Sequence, residues 1–407
     1  MDDRRRSQRA LAIALGLAVV VATPRCVVAG DQERHLSVRL GQKVAQEDNL
    51  FRLPEWLDPA LFLGPGAVRE DRVDTTSIAV AGRWQHGEQR VAFDADVASN
   101  RFTDNVYLDN ASGDGSLDWN WRLGGRWSGE LGTRRERSLA GFANTDSLAK
   151  DVLDTRSYYG EAHLDVGPRW RALLRARAAT TGHDSESRRN DDAEVRTAAV
   201  GLEYHTPRES ILGWEFREAR AVYPEQAITA GGGATSDYAE HRALMNLAYV
   251  FTPKVSLSAN AGYAWRTYAF AERGDFAGGV WSATLQWLPT QSVRVSFERF
   301  RDIKAYLDAE SDHFVATGST LSATWAPIAK LGLSLRASRE DQSYIGADVF
   351  GSPNRRDAPF IGSFVVAYTP RARAAFEFAV RHETRDSTSA RFDYGAATAS
   401  LAGEIRF

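Results

Sequence analysis

The chain has 407 residues, of which 43% are hydrophobic and 25% charged, and its formal net charge is −3. So even a balance names no polyanionic partner, and nucleic-acid binding is not expected of an exported chain this near neutrality. The single cysteine, Cys26, lies in the leader described next, which excludes a disulfide framework or a cysteine metal site in the remainder.

The N-terminus reads as a secretory signal. Arg4, Arg5, Arg6 and Arg9 form a positive start, residues 11–21 are an unbroken apolar run, and Val27-Val28-Ala29 sets small residues at the −3 and −1 positions, so cleavage is expected after Ala29. The run is too short for a retained membrane anchor. Pro24 and Arg25 sit before Cys26 where a lipoprotein would carry small or apolar residues. Beyond the leader no apolar stretch is long enough for a helical span. A β-barrel passes that test unseen, because its lipid-facing and lumen-facing residues alternate and the average cancels.

A first strand is expected over residues 35–44, where Leu36, Val38 and Leu40 alternate with polar positions. The next segment, Glu47-Asp48-Asn49-Leu50-Phe51-Arg52-Leu53-Pro54-Glu55, followed by Trp56 and a Pro/Gly-rich stretch to Gly66, does not fit a strand repeat. It reads as a loop that tucks into the barrel or lips it, with Phe51 and Trp56 as apolar anchors. Residues 1–29 are thus expected as leader, 30–74 as first strand plus this loop, and 75–407 as the rest of the barrel.

From about residue 75 one unit repeats: an alternating strand, a short turn, another strand, a longer polar loop. Leu117, Trp119, Trp121 and Leu123 alternate with Asp118, Asn120 and Arg122; Leu331, Leu333 and Leu335 alternate with Gly332, Ser334 and Arg336. Gly167-Pro168, Thr206-Pro207-Arg208, Thr252-Pro253-Lys254, Leu288-Pro289-Thr290, Ala326-Pro327 and Thr369-Pro370-Arg371 mark short turns, where the missing proline N–H costs nothing. Longer loops rich in Asp, Ser, Gly and Arg are expected over 100–115, 139–154, 182–193, 221–236 and 344–358. Trp84, Tyr204, Phe251, Trp287, Trp325 and Tyr368 precede short turns, as an interfacial aromatic girdle would. The closing segment from Tyr394 carries Leu401, Ile405 and Phe407 on one face, and a terminal aromatic there resembles the signal read by the outer-membrane insertion machinery. The fold expected is an all-β, antiparallel, up-and-down transmembrane barrel of about 18 strands, with 16 as the other count, in the bacterial outer membrane.

On this reading Arg171, Arg175, Arg177, Arg217, Glu215, Arg294, Glu298, Arg336 and Arg381 point into the lumen. Two accounts stand: the mixed charges pair and keep a wet lumen polar, or they line a path for a charged, hydroxyl-rich polymer. The run Arg171, Arg175, Arg177 is the candidate constriction. His163, His205, His241 and His382 lie on separate strands without metal-ligand spacing, and no nucleophile, base and acid are brought together by the sequence, so neither a metal, a cofactor nor an enzymatic activity is expected.

The segment Asp48, Asn49, Leu50, Phe51, Arg52, Leu53, Pro54 resembles the D-S-N-L-F-R-L-P signature of the EpsL-like family, outer-membrane β-barrels associated with exosortase and exopolysaccharide gene clusters; Asp48 stands where that family often has Ser. The stretch R-H-E-T-R at 381–385 and Phe392-Asp393-Tyr394 are similar to the same family. The resemblance implies a barrel that takes part in making or exporting a polysaccharide, as a channel or guide, with outer-membrane lipid and periplasmic or inner-membrane export proteins as further partners. The alternative is a general or small-solute diffusion porin; an adhesive barrel and an outer-membrane enzyme are the remaining readings.

Overall fold

The computed structural model describes residues 36–64, 67–145, 147–229, 235–270, 274–305, 313–345 and 355–407. The expected leader lies outside these residues.

Eighteen strands follow one another: β1 (Leu36–Glu47), β2 (Asp71–His86), β3 (Gln89–Phe102), β4 (Asn110–Leu123), β5 (Trp127–Leu139) and β6 (Val152–Val166). Then come β7 (Trp170–His183), β8 (Ala193–His205), β9 (Ile211–Val222), β10 (Tyr238–Thr252), β11 (Val255–Tyr268) and β12 (Phe276–Trp287). The last six are β13 (Val293–Ala305), β14 (His313–Ile328), β15 (Leu331–Ile345), β16 (Arg356–Arg371), β17 (Ala374–Ser387) and β18 (Tyr394–Arg406). Every strand pairs antiparallel with its sequence neighbours, and β1 pairs with β18, with Arg39 opposite Arg406 and Glu47 opposite Thr398, so the sheet closes without an edge. The first strand runs three residues further than expected, and β2 begins at Asp71 rather than near 75.

The two ends of the barrel differ. Turns such as residues 87–88, 167–169 and 253–254 lie at the end that holds the start of β1 and the end of β18, while connections such as residues 48–70 and 140–151 lie at the other. Positive φ at Gly87 (57°) and Gly167 (80°) is what lets two of the short turns close so tightly. The long loops are shorter than expected at 100–115, because β3 runs on to Phe102 and β4 resumes at Asn110.

Alternation decides the faces. Ile78, Trp84, Leu117, Leu131, Leu174, Phe216, Leu321 and Leu401 are exposed on the outer surface of the closed sheet. Ile405 and Phe407 of the closing segment share that row. Toward the short-turn end it is ringed by Trp84, Trp127, Trp170, Trp287, Trp325 and Tyr368, with the Trp170 ring 5.0 Å from Tyr204. A closed sheet with an apolar exterior and an aromatic girdle satisfies every backbone group internally and meets hydrocarbon outside, which is what a bilayer demands of strands. No described helix is long and apolar enough to cross a membrane; the chain crosses by its strands.

Candidate functional site: the narrowed long-loop mouth

Three segments turn inward at the long-loop end. The first is the non-repeating segment after β1. Asn49 is buried, its Oδ1 accepting from Leu53 N at 3.0 Å while its Nδ2 donates to Leu53 O at 2.8 Å and to Gly395 O at 2.9 Å. Asp48 Oδ1 accepts from Ala397 N at 2.6 Å, which extends the β1–β18 seam past the last paired residues. Arg52 adopts φ 56°, a left-handed conformation uncommon for a side chain of its size, and lies in the angle between Glu47, to which it is hydrogen-bonded, and Glu383 at 3.8 Å. The sharp turn drives Phe51 into complete burial among Leu50, Leu53, Phe102, Leu108, Phe142 and Leu148, with the Phe142 ring edge-on at 5.0 Å. Arg69 clamps the return of the loop, donating to Pro54 O at 2.6 Å and Glu55 O at 2.9 Å and also to Leu57 O. Trp56 is not an anchor. It is 65% exposed, because the turn at Arg52 and Pro54 sends the chain out of the cluster that Phe51 fills.

The second segment is the connection 140–151. Arg385, on the inner face of β17, donates to Asn144 Oδ1 at 2.5 Å and to Ala143 O. Its Nε donates to Phe392 O at 2.8 Å and its guanidinium lies over the Tyr394 ring at 4.8 Å. Six strand spacings separate β17 from β5 through the seam, about 29 Å of wall at roughly 4.8 Å each, and the connection spans them by packing on Leu108 and Phe51 of the two intervening connections. Phe142 and Leu148 are drawn down onto Phe51, and Tyr107 donates to Leu148 O at 2.9 Å. Burial, with the Asp71 carboxylate adding to it, pushes the Tyr107 phenol up to about 12, so it stays a donor at any neutral pH. Asp71 is itself fully buried and accepts from the Thr103, Asp104 and Asn105 backbone N–H groups, which fixes the neighbouring loop. At the end of the connection, before β6, burial raises the Asp151 carboxyl against the opposing pull of the Ser185 N–H, His183 and Arg188.

The third is the upper part of β13 and β14. By alternation Ile303, Val315 and His313 belong to the outer row that Phe297 and Leu321 occupy lower down. Yet Ile303 and Val315 are 3% and 9% exposed and pack on Leu244, Ala264, Phe276 and Val280, which lie on the inner face of β10 to β12. His313 is fully buried against the Tyr268 ring, centroids 5.7 Å apart. An outer face can meet an inner face only if the hairpin leaves the wall and folds over its neighbours. The ladder agrees: β12 pairs with β13 only from Trp281 to Trp287, and above that the Arg301 Nη1 donates to Gly279 O at 2.5 Å. Arg242 of β10 reaches Asp302 of β13 at 2.8 Å across the fold.

Between these inward segments the wall carries charges in pairs. Arg171 meets Asp165 at 2.7 Å; Arg175 is paired to Glu161 and, at 2.5 Å, to Glu215; Arg217 meets Glu215 at 2.5 Å; Arg381 meets Glu383 at 2.8 Å. The run Arg171, Arg175, Arg177 is therefore no free basic ladder: two of its members are held by carboxylates, and Arg177 is the exposed one. Alternation sets Arg294, Glu298 and Arg336 on the same inner face, nearer the short turns. The segments that turn inward are loops and a bent hairpin, while Arg171, Arg175 and Arg177 lie on the wall strand β7. No group of three or more His, Cys, Asp or Glu side chains that could hold a metal occurs among the described residues.

The two segments on which the family resemblance rests, 48–54 and 381–394, meet here: Arg52 lies 3.8 Å from Glu383, which also accepts from the Tyr394 hydroxyl, and Asn49 donates to Gly395 O one residue beyond Tyr394. Sequence reasoning missed Arg69, Asp71, Phe142 and Leu148. The last two left one signal, apolar residues in a polar loop with no strand to belong to.

A family model described as "Putative beta-barrel porin 2" matches residues 236–406, from the end of the β9–β10 connection to the last strand. No curated protein matches the chain. Among solved structures the chain is similar to the outer membrane protein OpdK of Pseudomonas aeruginosa (10% identity, 91% of this chain and 98% of that one, TM-score 0.49). It is also similar to P. aeruginosa OccK2 (OpdF) in complex with glucuronate (11%, 91% and 98%, 0.48) and to Acinetobacter baumannii OccAB3 (10%, 91% and 99%, 0.47). With its closed sheet and apolar exterior, the chain is a porin-like β-barrel of the outer membrane.

Proposed function

We propose that this barrel is a passive channel for small polar solutes, narrowed at its long-loop mouth by the connection 140–151. The observation that carries this is the inward reach of that connection, packed on Phe51 and tied to the inner face of β17 through Arg385. An inward-folded loop over a charged, ion-paired wall restricts size while leaving a wet path, and the porin family match over the C-terminal strands favours the same reading. The test is single-channel recording in planar bilayers together with swelling of liposomes in monosaccharide, disaccharide and longer oligosaccharides. Discrete conductance steps and a size limit among the sugars are expected. Absence of both steps and swelling would overturn the proposal.

A second reading keeps a role in exopolysaccharide export. It is supported by the resemblance of 48–54 and 381–394 to the EpsL-like family and by their convergence on one joint at the seam. A clean in-frame deletion, with polysaccharide assayed in the medium and in the cell, separates the two. Loss outside with accumulation inside favours export; normal secretion leaves the small-solute channel.

A further inference from the structure

Outside the lumen, the strands β5 to β9 carry a feature that a channel does not use. On four of them the outward row runs from the girdle level through apolar residues to arginine: Leu131 gives way to Arg135, Tyr158 to Arg156, Val200 to Arg196 and Phe216 to Arg220, with Asp154, Glu194 and Glu218 as acidic neighbours on the same rows. Arg135 stands directly opposite Arg156, and Arg196 directly opposite Arg220. Like charges facing each other across a ladder are unfavourable in water, and the chain makes this arrangement twice. All four side chains are exposed, from 56% to 79%. Asp154 accepts from both Arg135, at 3.1 Å, and Arg156, at 3.3 Å, while Glu194 lies 3.6 Å from Arg196 and Glu218 accepts from Arg220 at 2.8 Å; three carboxylates hold four guanidinium groups, whose five N–H donors each exceed what these contacts use.

Their depth is set by the strands. Arg135 lies eight residues along from Trp127, Arg196 eight from Tyr204, Arg220 eight from Leu212, and Arg156 ten from Val166. At about 3.3 Å per residue and a tilt near 40°, that is about 20–25 Å above the girdle, the height of the apolar band of such a barrel. The arginines therefore stand at the headgroup level of the far leaflet. Between the pairs runs β7, whose outward positions at this height are Ala178 and Thr180: Thr180 faces Arg156 and Ala178 faces Arg196. The small residues leave a shallow trough two strand spacings wide, about 10 Å, with an arginine pair on either bank.

We propose that this trough binds a phosphorylated glycolipid of the outer leaflet, each arginine pair taking one phosphate. Guanidinium pairs suit phosphate through bidentate donation, the trough suits a sugar headgroup, and the apolar wall below suits acyl chains. The inference is independent of what passes through the lumen.

The test is native mass spectrometry of the purified full-length barrel in detergent with diphosphoryl lipid A, monophosphoryl lipid A or phosphatidylcholine added. Preference for the diphosphoryl form by at least about tenfold is expected of two cooperating phosphate sites. The double variant R135Q/R156Q, which leaves the other bank intact, is expected to bind the two lipid A forms equally. The quadruple variant with R196Q/R220Q is expected to treat lipid A like phosphatidylcholine, while the double lysine variant R135K/R156K keeps part of the preference. Folding of each variant is checked by heat-modifiable migration. Equal binding of all three lipids by the wild type, or an unchanged preference in the folded double variant, overturns the proposal.

Discussion

At the scale of single residues, Asn49 concentrates more consequence than its size suggests. Three hydrogen bonds converge on one buried amide, two closing its own turn and one reaching Gly395 on the last strand. Replacing it with alanine leaves the Leu53 N–H and the Gly395 carbonyl without their partner, at a cost of about 1–3 kcal/mol for each group left buried. N49A is expected to lower the urea midpoint for unfolding from vesicles, and an unchanged midpoint would mean that water replaces the amide freely. Phe51 and Trp56 give a sharper contrast. F51A removes a fully buried ring and is expected to cost about 3–5 kcal/mol, whereas W56A removes an exposed one and is expected to leave the same transition nearly where it was. Equal effects of the two would sink the assignment of Phe51 as the anchor. Sequence alone offered both aromatics for that role; what separates them is the left-handed turn at Arg52, which no residue pattern announces.

At the scale of elements, the sheet was legible and its departures from the cylinder were not. Period-two alternation gives the face of each position, and it placed the outward apolar row and the inward charges. It says nothing of whether a strand stays in the wall. Ile303 and Val315 look like any other outward residue, and only their burial against Leu244 and Val280 reveals that the hairpin folds over. That the inner charges pair was one of two readings open to the sequence, but the partners were not legible, because Glu215 meets Arg175 from two strands away, in a register the sequence does not state. The interrupted ladder makes a measurable difference: backbone N–H groups of residues 276–280 that point toward β13 are expected to exchange with deuterium faster than those of 281–287. Uniform protection along β12 would contradict the bend. The connection 140–151 is tested through its tether. R385Q replaces the guanidinium that reaches Ala143 and Asn144 by a shorter amide, and it is expected to raise single-channel conductance and its noise; an unchanged conductance would mean that the connection does not limit flow.

For the whole molecule, the outward surface fixes how deep the barrel sits, and one strand can report it. On β7, Leu174 lies four residues above Trp170 and Thr180 ten residues above it, on the same outward row. The first is near the bilayer midplane and the second near its far face. An arginine at the midplane of such a barrel costs about 2–4 kcal/mol and near the interface about 0–1. L174R is therefore expected to destabilise the refolded barrel by that larger amount and T180R by almost nothing, measured by reversible unfolding from vesicles. The opposite order would require the barrel to ride deeper by half a membrane.

The seam has a consequence for the order of manufacture. The loop that carries Asn49 is made 346 residues before its partner at Gly395. Until the final strands arrive the loop has only its other partners: the contacts of Asn49 with Gly395, Arg52 with Glu383 and Asp48 with Ala397 wait for β17 and β18. The joint thus works as a proof of completeness, since a chain interrupted anywhere short of its last strand presents an unfilled socket at its own beginning.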